Sequence, residues 1–442
     1  MGKKLLVFAA VLSFALLGSA FAEVENIKVS GDIATEAVMR DFSLGSPDHN
    51  DDHFLFSQIR LRIDADLTEN VSAVIRLINE RLWGSENNEA DSGTNIALDL
   101  GYVQLGEFLY EPLTLIVGRQ NLRYGSALIV GDPDTNQTAA AGAGVDTEVK
   151  VPAVISDLSL RKSFDAIRAI LDYSPYTLDI IFAKVSEGIT NSSDDVTLAG
   201  ANLAYAWGSY NGVTEGYFFS ANRGGGAERQ ETYTVGARTQ FDPTDNLTLA
   251  AEGAYQFGED TATAHRDVSA FAVSLDSEYR FLNDYNAKVG LSYAYLSGDD
   301  DMGNDANNAW DPLFEDQALA EIINILFTNS NTQAIKLTGS YMPREDITLG
   351  MVYVRAWLAE NLTTTAALPT FKPTVGPASG QTYRVDRNEK DIGDEIDVYA
   401  VYDYTEDVQL KLTGAYFIPG SLFTHDNDST AYSVRGGVSV SF

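Results

Sequence analysis

YSVRGGVSVSF, residues Tyr432–Phe442, is the stretch whose reading decides the fold. Tyr432, Val434, Val438, Val440 and Phe442 share one parity; Ser433, Arg435, Ser439 and Ser441 share the other. Side chains alternate across a strand, so one face is apolar and aromatic and the other is polar. A soluble sandwich can end on such a strand. So can an outer-membrane barrel, in which the apolar face meets lipid and the polar face meets a lumen. The remaining chain separates the two.

At the other end, Lys3 and Lys4 precede an apolar run, Leu5 to Leu17, and the small-x-small site Ala20-Phe21-Ala22. This is the pattern of a secretory signal peptide over 1–22, leaving 23–442 as a single barrel domain. The run is short for a membrane-spanning helix, and Glu23, not Cys, follows the cleavage site. The chain of 442 residues carries a net charge of −33; loss of Lys3 and Lys4 takes it to −35. So acidic a surface disfavours nucleic acid as a partner. The absence of cysteine excludes a disulfide framework and thiolate chemistry. Aromatics make up 11% of residues, mostly Tyr and Phe, as girdles at a lipid interface require. No long apolar run follows the leader, so a membrane location demands a closed barrel.

From Ile27 onward, segments of about ten residues alternate in polarity. In Phe54–Asp66, Ile59, Leu61, Ile63 and Ala65 point one way and Gln58, Arg60, Arg62 and Asp64 the other. The pattern repeats to give about eighteen strands of an all-β, antiparallel up-and-down transmembrane barrel. Connections alternate between short turns such as Thr68–Asn70, Ser174–Tyr176 and Thr405–Asp407, and long acidic loops such as 121–161, 298–332 and 359–391. That alternation is the outer-membrane pattern, with both termini on the periplasmic side. It predicts a bacterial (Gram-negative) outer-membrane location, with lipid, lipopolysaccharide and, through Phe442, the barrel-assembly machinery as partners. Loop 298–332 has a helical period at Leu319, Ile322, Ile323, Leu326 and Phe327. Both it and the Ala/Gly-rich loop 121–161 are read either as inward constrictions or as surface loops.

Assigning the apolar parity to lipid sends Arg60, Arg62, Arg76, Arg168, Arg238, Arg280, Lys336 and Arg435 to the lumen, with Asp64, Asp172, Glu252, Glu395 and Asp397 as acidic partners. Lumenal Arg and Lys lower the barrier for anions, whereas internal pairing would only keep a polar interior soluble. Arg60, Arg62 and Arg76 form the best basic strip, with Asp64 the nearest lumenal acid. Strict alternation puts Arg119 with Leu115 and Val117 toward lipid, above the hydrocarbon band or after a bulge. The four histidines (His49, His53, His265 and His425) fall in loops or at strand ends with no nucleophile–base–acid arrangement, which argues against an enzyme. Asp299-Asp300-Asp301 is a solvated acidic run or a calcium ligand set. No cofactor is expected.

Several segments resemble the alginate-export outer-membrane family. Gly118-Arg119-Gln120-Asn121-Leu122-Arg123-Tyr124-Gly125 is similar to its GRQ-x-L-x-YG signature, and Ser163–Arg168 to its SFDG-x-R segment with Ala166 in place of Gly. Trp310–Phe314 looks like its FDPLF loop motif; Gly393–Asp397, followed by Tyr416–Gly420, resembles its ending. The resemblance implies an eighteen-stranded polyuronate exporter with an arginine-rich constriction. It assigns Arg119, Arg123 and Arg168 to the pore, with Glu395 and Asp397 as their acidic partners. The function expected is a passive channel for anionic saccharides or small anions; a weakly selective diffusion porin is the alternative.

Overall fold

The computed structural model describes residues 26–42, 44, 51–84, 96–133, 157–187, 195–224, 229–260, 266–301, 305–362, 385–424 and 428–442. The leader over 1–22 lies outside them, as do His49, His265 and His425.

The chain opens with β1 (Asn26–Asp41), β2 (Asp51–Thr68), β3 (Val71–Leu82), β4 (Ala97–Leu105) and β5 (Leu113–Asn121). Then follow β6 (Ser163–Tyr173), β7 (Tyr176–Ser186), β8 (Val196–Ala206), β9 (Val213–Arg223), β10 (Gln230–Thr244), β11 (Leu247–Asp260), β12 (Arg266–Arg280) and β13 (Lys288–Leu296). A two-residue strand, β14 (Ala306–Asn307), and a short helix, α1 (Glu321–Leu326), lie in the next connection. The chain ends with β15 (Thr332–Arg344), β16 (Ile347–Leu358), β17 (Asp391–Asp403), β18 (Val408–Pro419) and β19 (Ala431–Ser441). Each long strand pairs antiparallel with its sequence neighbours, β13 passing directly to β15, and β19 returns to β1. The sheet is therefore a closed eighteen-stranded barrel, as the alternation predicts; β14 is a parallel appendage on β12.

Closure is completed by the Tyr432–Phe442 stretch. Ile33 faces Val440 and Asp41 faces Tyr432 across the seam, and the backbone groups of Gly31 and Phe442 exchange two 2.9 Å hydrogen bonds. Gly31 is needed there: a Cβ would stand 2.8 Å from the Phe442 ring. With no free edge, every strand can satisfy its backbone groups in a medium that offers none.

The outward parity is apolar and uncovered. Ile59 and Leu61 are 43% and 39% exposed, whereas Gln58, next to Ile59 on the inward parity, is 4% exposed. Outward aromatics such as Tyr173, Tyr176, Tyr205, Tyr279 and Tyr432 stand at or next to strand ends, where Tyr and Trp girdles meet the lipid interface.

The interior departs from the simple polar lumen that alternation implies. Toward the long-loop rim, inward positions are small or apolar: Ala166, Ala183, Leu198, Phe219, Ala270, Ala356 and Phe417 are all at most 6% exposed. They are covered by loops that fold into the barrel. One cluster joins Leu122, Tyr124, Leu128, Ile129 and Val130 to Trp310, Leu313 and Phe314 and to the walls β6–β12. A second packs Ile322, Ile323, Ile325, Leu326 and Phe327 onto β15–β19. Burying one such side chain is worth about 1.5–3 kcal/mol, so these segments are built parts of the structure. For the described parts, 122–133 and 305–332, the inward alternative holds, and the helical period at 319–327 becomes α1; the Ala/Gly-rich part of loop 121–161 lies outside the described residues.

Candidate functional site

The interior assembly rests on three sets of contacts, and each begins with residues from the sequence motifs. The first is between the two inward loops themselves. Val130 and Phe314 form a parallel bridge, Gly131 N–H donates to the Phe314 carbonyl at 2.7 Å, and Asp316 N–H to the Ala127 carbonyl at 3.0 Å. Arg123 and Lys162, from either end of the loop between β5 and β6, both donate to Asp316, each at 2.5 Å. Burial works against ionising Asp316, but Lys162 and Arg123 outweigh it and hold the carboxyl below its ordinary range.

The second set fixes these loops to β9–β11. Glu252 is 3% exposed; its carboxylate accepts the Ser126 N–H at 2.9 Å and the Tyr217 hydroxyl at 2.7 Å, with Arg238 3.8 Å away. Gly125 has φ +59° and comes so close that a Cβ would lie 2.6 Å from Glu252 Oε1, so glycine is required on both counts. Gln256 on β11 clasps the backbone of Asp311, accepting its N–H at 2.9 Å and donating to its carbonyl at 2.6 Å. Arg223 reaches the Asp311 carboxylate at 2.6 Å. Phe164 of β6 meets the Phe314 ring edge-on at 6.0 Å.

The third set holds α1. Both oxygens of Glu395 accept helix N–H groups, from Ile322 at 2.5 Å and Ile323 at 2.7 Å; Asp397 accepts that of Glu321 at 3.1 Å. Phe417 packs on Phe327 at 5.9 Å. The four motifs are thus the places where the loops meet the wall, a role that their one-dimensional spacing does not display.

The expected lumenal charges arrange themselves differently from the strip read in the sequence. Arg60 pairs with Asp32 at 2.9 Å, Arg62 with Asp64 at 2.6 Å and Arg76 with Asp99 at 2.5 Å. Asp64 is therefore not the only acid beside them: Asp32 and Asp99 lie across the strand register. Asp99 enters because β4 shifts register between the partners of Arg76 and Leu77. Arg168 pairs with the buried Asp179 and lies over the Tyr124 ring at 5.8 Å. Arg238 lies between Glu215 and Glu252, 3.7 and 3.8 Å away. Arg435 contacts Glu321 at 3.1 Å and Glu36 at 3.8 Å, tying the closing strand to α1. Lys336 donates to the Ala318 carbonyl at 2.7 Å.

Three residues lie away from the inward loops. Arg119 keeps the outward parity of Val117 and pairs with Asp165 at 3.2 Å, so the pore role that the resemblance implies for it does not match its position. Pairing lowers the cost of a charge facing outward. Arg280 is bonded to Glu278 near the short-turn rim, and Asp172 accepts the Ser174 N–H in the turn after β6. Glu395 and Asp397, expected as partners of pore arginines, instead cap a helix. Residues that the sequence reading passed over are Lys162, Asp316, Asp32, Asp99 and Asp179. Asp299 is engaged by Arg266, and among the described residues no acidic cluster is arranged to hold a metal ion.

The eighteen-stranded closed barrel is shared with solved outer-membrane porin structures. Pseudomonas aeruginosa OccK3 (OpdO) matches with a TM-score of 0.58 at 13% identity, covering 95% of this chain and 97% of that one. P. aeruginosa OpdQ gives 0.57 at 14% identity over 95% and 99%. Acinetobacter baumannii OccAB4 gives 0.55 at 12% identity over 96% and 99%. At these identities the likeness shows the fold. A search of curated proteins found no match. A family model described as "Alginate export" matches residues 31–436, nearly the whole chain. The chain is therefore an outer-membrane β-barrel channel protein of the Alginate export family.

Proposed function

We propose that this channel passes anionic solutes passively, with anionic saccharides and small anions as the substrate class. The observation that carries the reading is the Arg123–Asp316–Lys162 group. Two cations share one carboxylate where the two inward loops meet, and their side chains are 55% and 37% exposed, so the group presents one net positive charge to water. A fixed cation at a narrowing lowers the entry barrier for anions and raises it for cations. The family supports a polyanion as solute, and one structural neighbour, P. aeruginosa OpdK, was solved with vanillate, a carboxylate.

The pairing of Arg60, Arg62, Arg76 and Arg168 with one carboxylate each favours a second reading, a weakly selective diffusion pore. Reversal potentials in planar bilayers under a salt gradient separate the two. The anion reading expects an anion-selective wild type that moves toward zero selectivity in Arg123→Ser/Lys162→Ser; a cation-selective or unselective wild type refutes it. The reading assigns no catalytic role: His53, the one described histidine, is on the outward parity of β2. We further propose a cleaved signal peptide over 1–22, the single barrel domain 23–442 in a Gram-negative outer membrane with lipopolysaccharide around the long loops, and recognition of the Phe442 end by the assembly machinery.

A further inference from the structure

We infer that α1 is the moving part of the channel, a latch whose docking on the barrel wall takes up protons, so that acidification closes the pore. The inference rests on the channel reading above, and it distinguishes between two inward segments that sequence alone leaves equivalent.

The two segments are held differently. The 122–133 segment is fixed to the wall through Glu252, which has Arg238 beside it; the loop that carries α1 has one such anchor, Asp311 on Arg223, ten residues before the helix. The α1 helix is fixed by its buried apolar face and, on the polar side, through carboxylates. Glu395 and Asp397 stand two residues apart on the inward face of β17, 0% and 6% exposed, and Glu321 at the start of the helix joins them. Their attachments to the helix are the three backbone N–H bonds. The Asp397 Oδ1 atom is buried with no hydrogen-bond partner. A buried acceptor left empty is costly, and a proton held there removes both that cost and the repulsion from Glu395.

The charged groups facing this site come from every neighbouring wall. Lys336 and Asp276 lie on β15 and β12, Lys411 on β18, Arg435 and Glu36 on β19 and β1, and Asp157 on the loop before β6. Arg435 forms an ion pair with Glu321 and is divided between Glu321 and Glu36, with Lys411 a weaker opposing charge. Burial pushes the Glu321 carboxyl up from its ordinary range; Arg435 opposes the shift and Asp397 adds to it. The sign follows by linkage. A carboxyl whose docked pKa is raised binds its proton more tightly docked than free in water, so docking is favoured at low pH and weakens as pH rises. The window begins just above the ordinary carboxylate range, near about pH 4. When α1 leaves the wall, its carboxylates hydrate and the apolar surface of Ile322, Ile323 and Leu326 is exposed, so the two terms oppose each other and protonation tips the balance.

The test is mean single-channel conductance of the full chain in planar bilayers across pH. The wild type is expected to lose about threefold or more in conductance between about pH 7.5 and about pH 4.5. Glu395→Gln/Asp397→Asn keeps acceptors for the helix N–H groups and removes the charge; it should stay in the low-conductance state at both pH values. Glu321→Gln, which leaves the wall intact, should shift the same way. Heat-modifiable migration on gels verifies that each barrel is folded. The chain has no cysteine, so a thiol at Ile322→Cys gives a second readout. Its labelling by a membrane-impermeant maleimide, relative to a control at Asn283→Cys, should rise with pH. A wild type that conducts equally at both pH values overturns the latch, as does a carboxamide variant with the wild-type pH response. Neither result touches the channel reading, which fails only if the folded wild type conducts at no pH.

Discussion

Replacing Asp316 by Asn is the sharpest probe of the anion reading, because it leaves the two cations in place and removes the group they share. In the native structure Arg123 and Lys162 each donate to Asp316 at 2.5 Å, so the local charge is one positive unit. The Asn variant carries two. A unit charge about 6 Å from a passing ion is worth ~0.7 kcal/mol at the dielectric of water, about threefold in relative entry. Anions gain and cations lose by that factor, so the expected result is an anion-to-cation permeability ratio raised by about tenfold, falling off as salt screens the charges. The loops should nonetheless stay in place, since the Asp316 N–H to Ala127 bond and the Val130–Phe314 bridge do not involve the carboxylate. The stability cost is the loss of two charge-assisted bonds to a partly exposed group, about 1–3 kcal/mol after discounting for solvent. The assay is the reversal potential under a tenfold-type KCl gradient in planar bilayers. An unchanged or lowered anion preference in a folded variant would refute the assignment of the excess charge to this group.

The remaining predictions concern the wall contacts. Glu252→Ala strands the Ser126 N–H and the Tyr217 hydroxyl and leaves Arg238 with Glu215 alone; thermal unfolding in detergent should report a loss of about 2–4 kcal/mol. Phe314→Ala empties a fully buried ring site at the junction of the two loops, and should cost about 3–5 kcal/mol with larger current noise from the loosened segments. Arg76→Ser leaves the buried Asp99 uncompensated, so reversal potentials should move toward cations; Arg76→Ser/Asp99→Ser should restore the wild-type value. The Arg123 and Lys162 pairs with Asp316 should persist at neutral pH. Because the folded carboxyl is held low, their stabilisation is present above about pH 4 and is lost as pH falls through the folded value, which unfolding scans against pH can follow.

How much was legible in the sequence depends on which force wrote each pattern. Lipid on one side and water on the other impose a period of two, so Ile59/Arg60/Leu61/Arg62 declares strand and orientation locally. Counting such segments gives about eighteen strands, and short turns against long loops give the two rims. Charge pairing is not local: Arg60 meets Asp32, 28 positions away, because register places them opposite, and Arg76 meets Asp99 through a shift in β4. The inward loops left two traces: the helical period at 319–327, and apolar residues on both parities at Tyr217-Phe218-Phe219, where the inner face is covered by protein and the outer by lipid. A run of that kind marks a doubly buried strand, and in a barrel the second cover has to come from within.

The sequence by itself determined that this chain forms a barrel in a membrane: the alternation of Tyr432–Phe442, repeated along the chain with short turns and long loops, requires a sealed sheet, which alone satisfies its backbone in lipid. What the tertiary structure alone decided is where charge remains unbalanced and what narrows the interior. Those depend on which side chains from distant strands and loops converge: Arg123 and Lys162 on Asp316, and Glu395 and Asp397 on a helix that begins 74 positions earlier than Glu395. Periodicity records the solvent on each face of a strand, whereas the partner of a charge is set by register and loop placement.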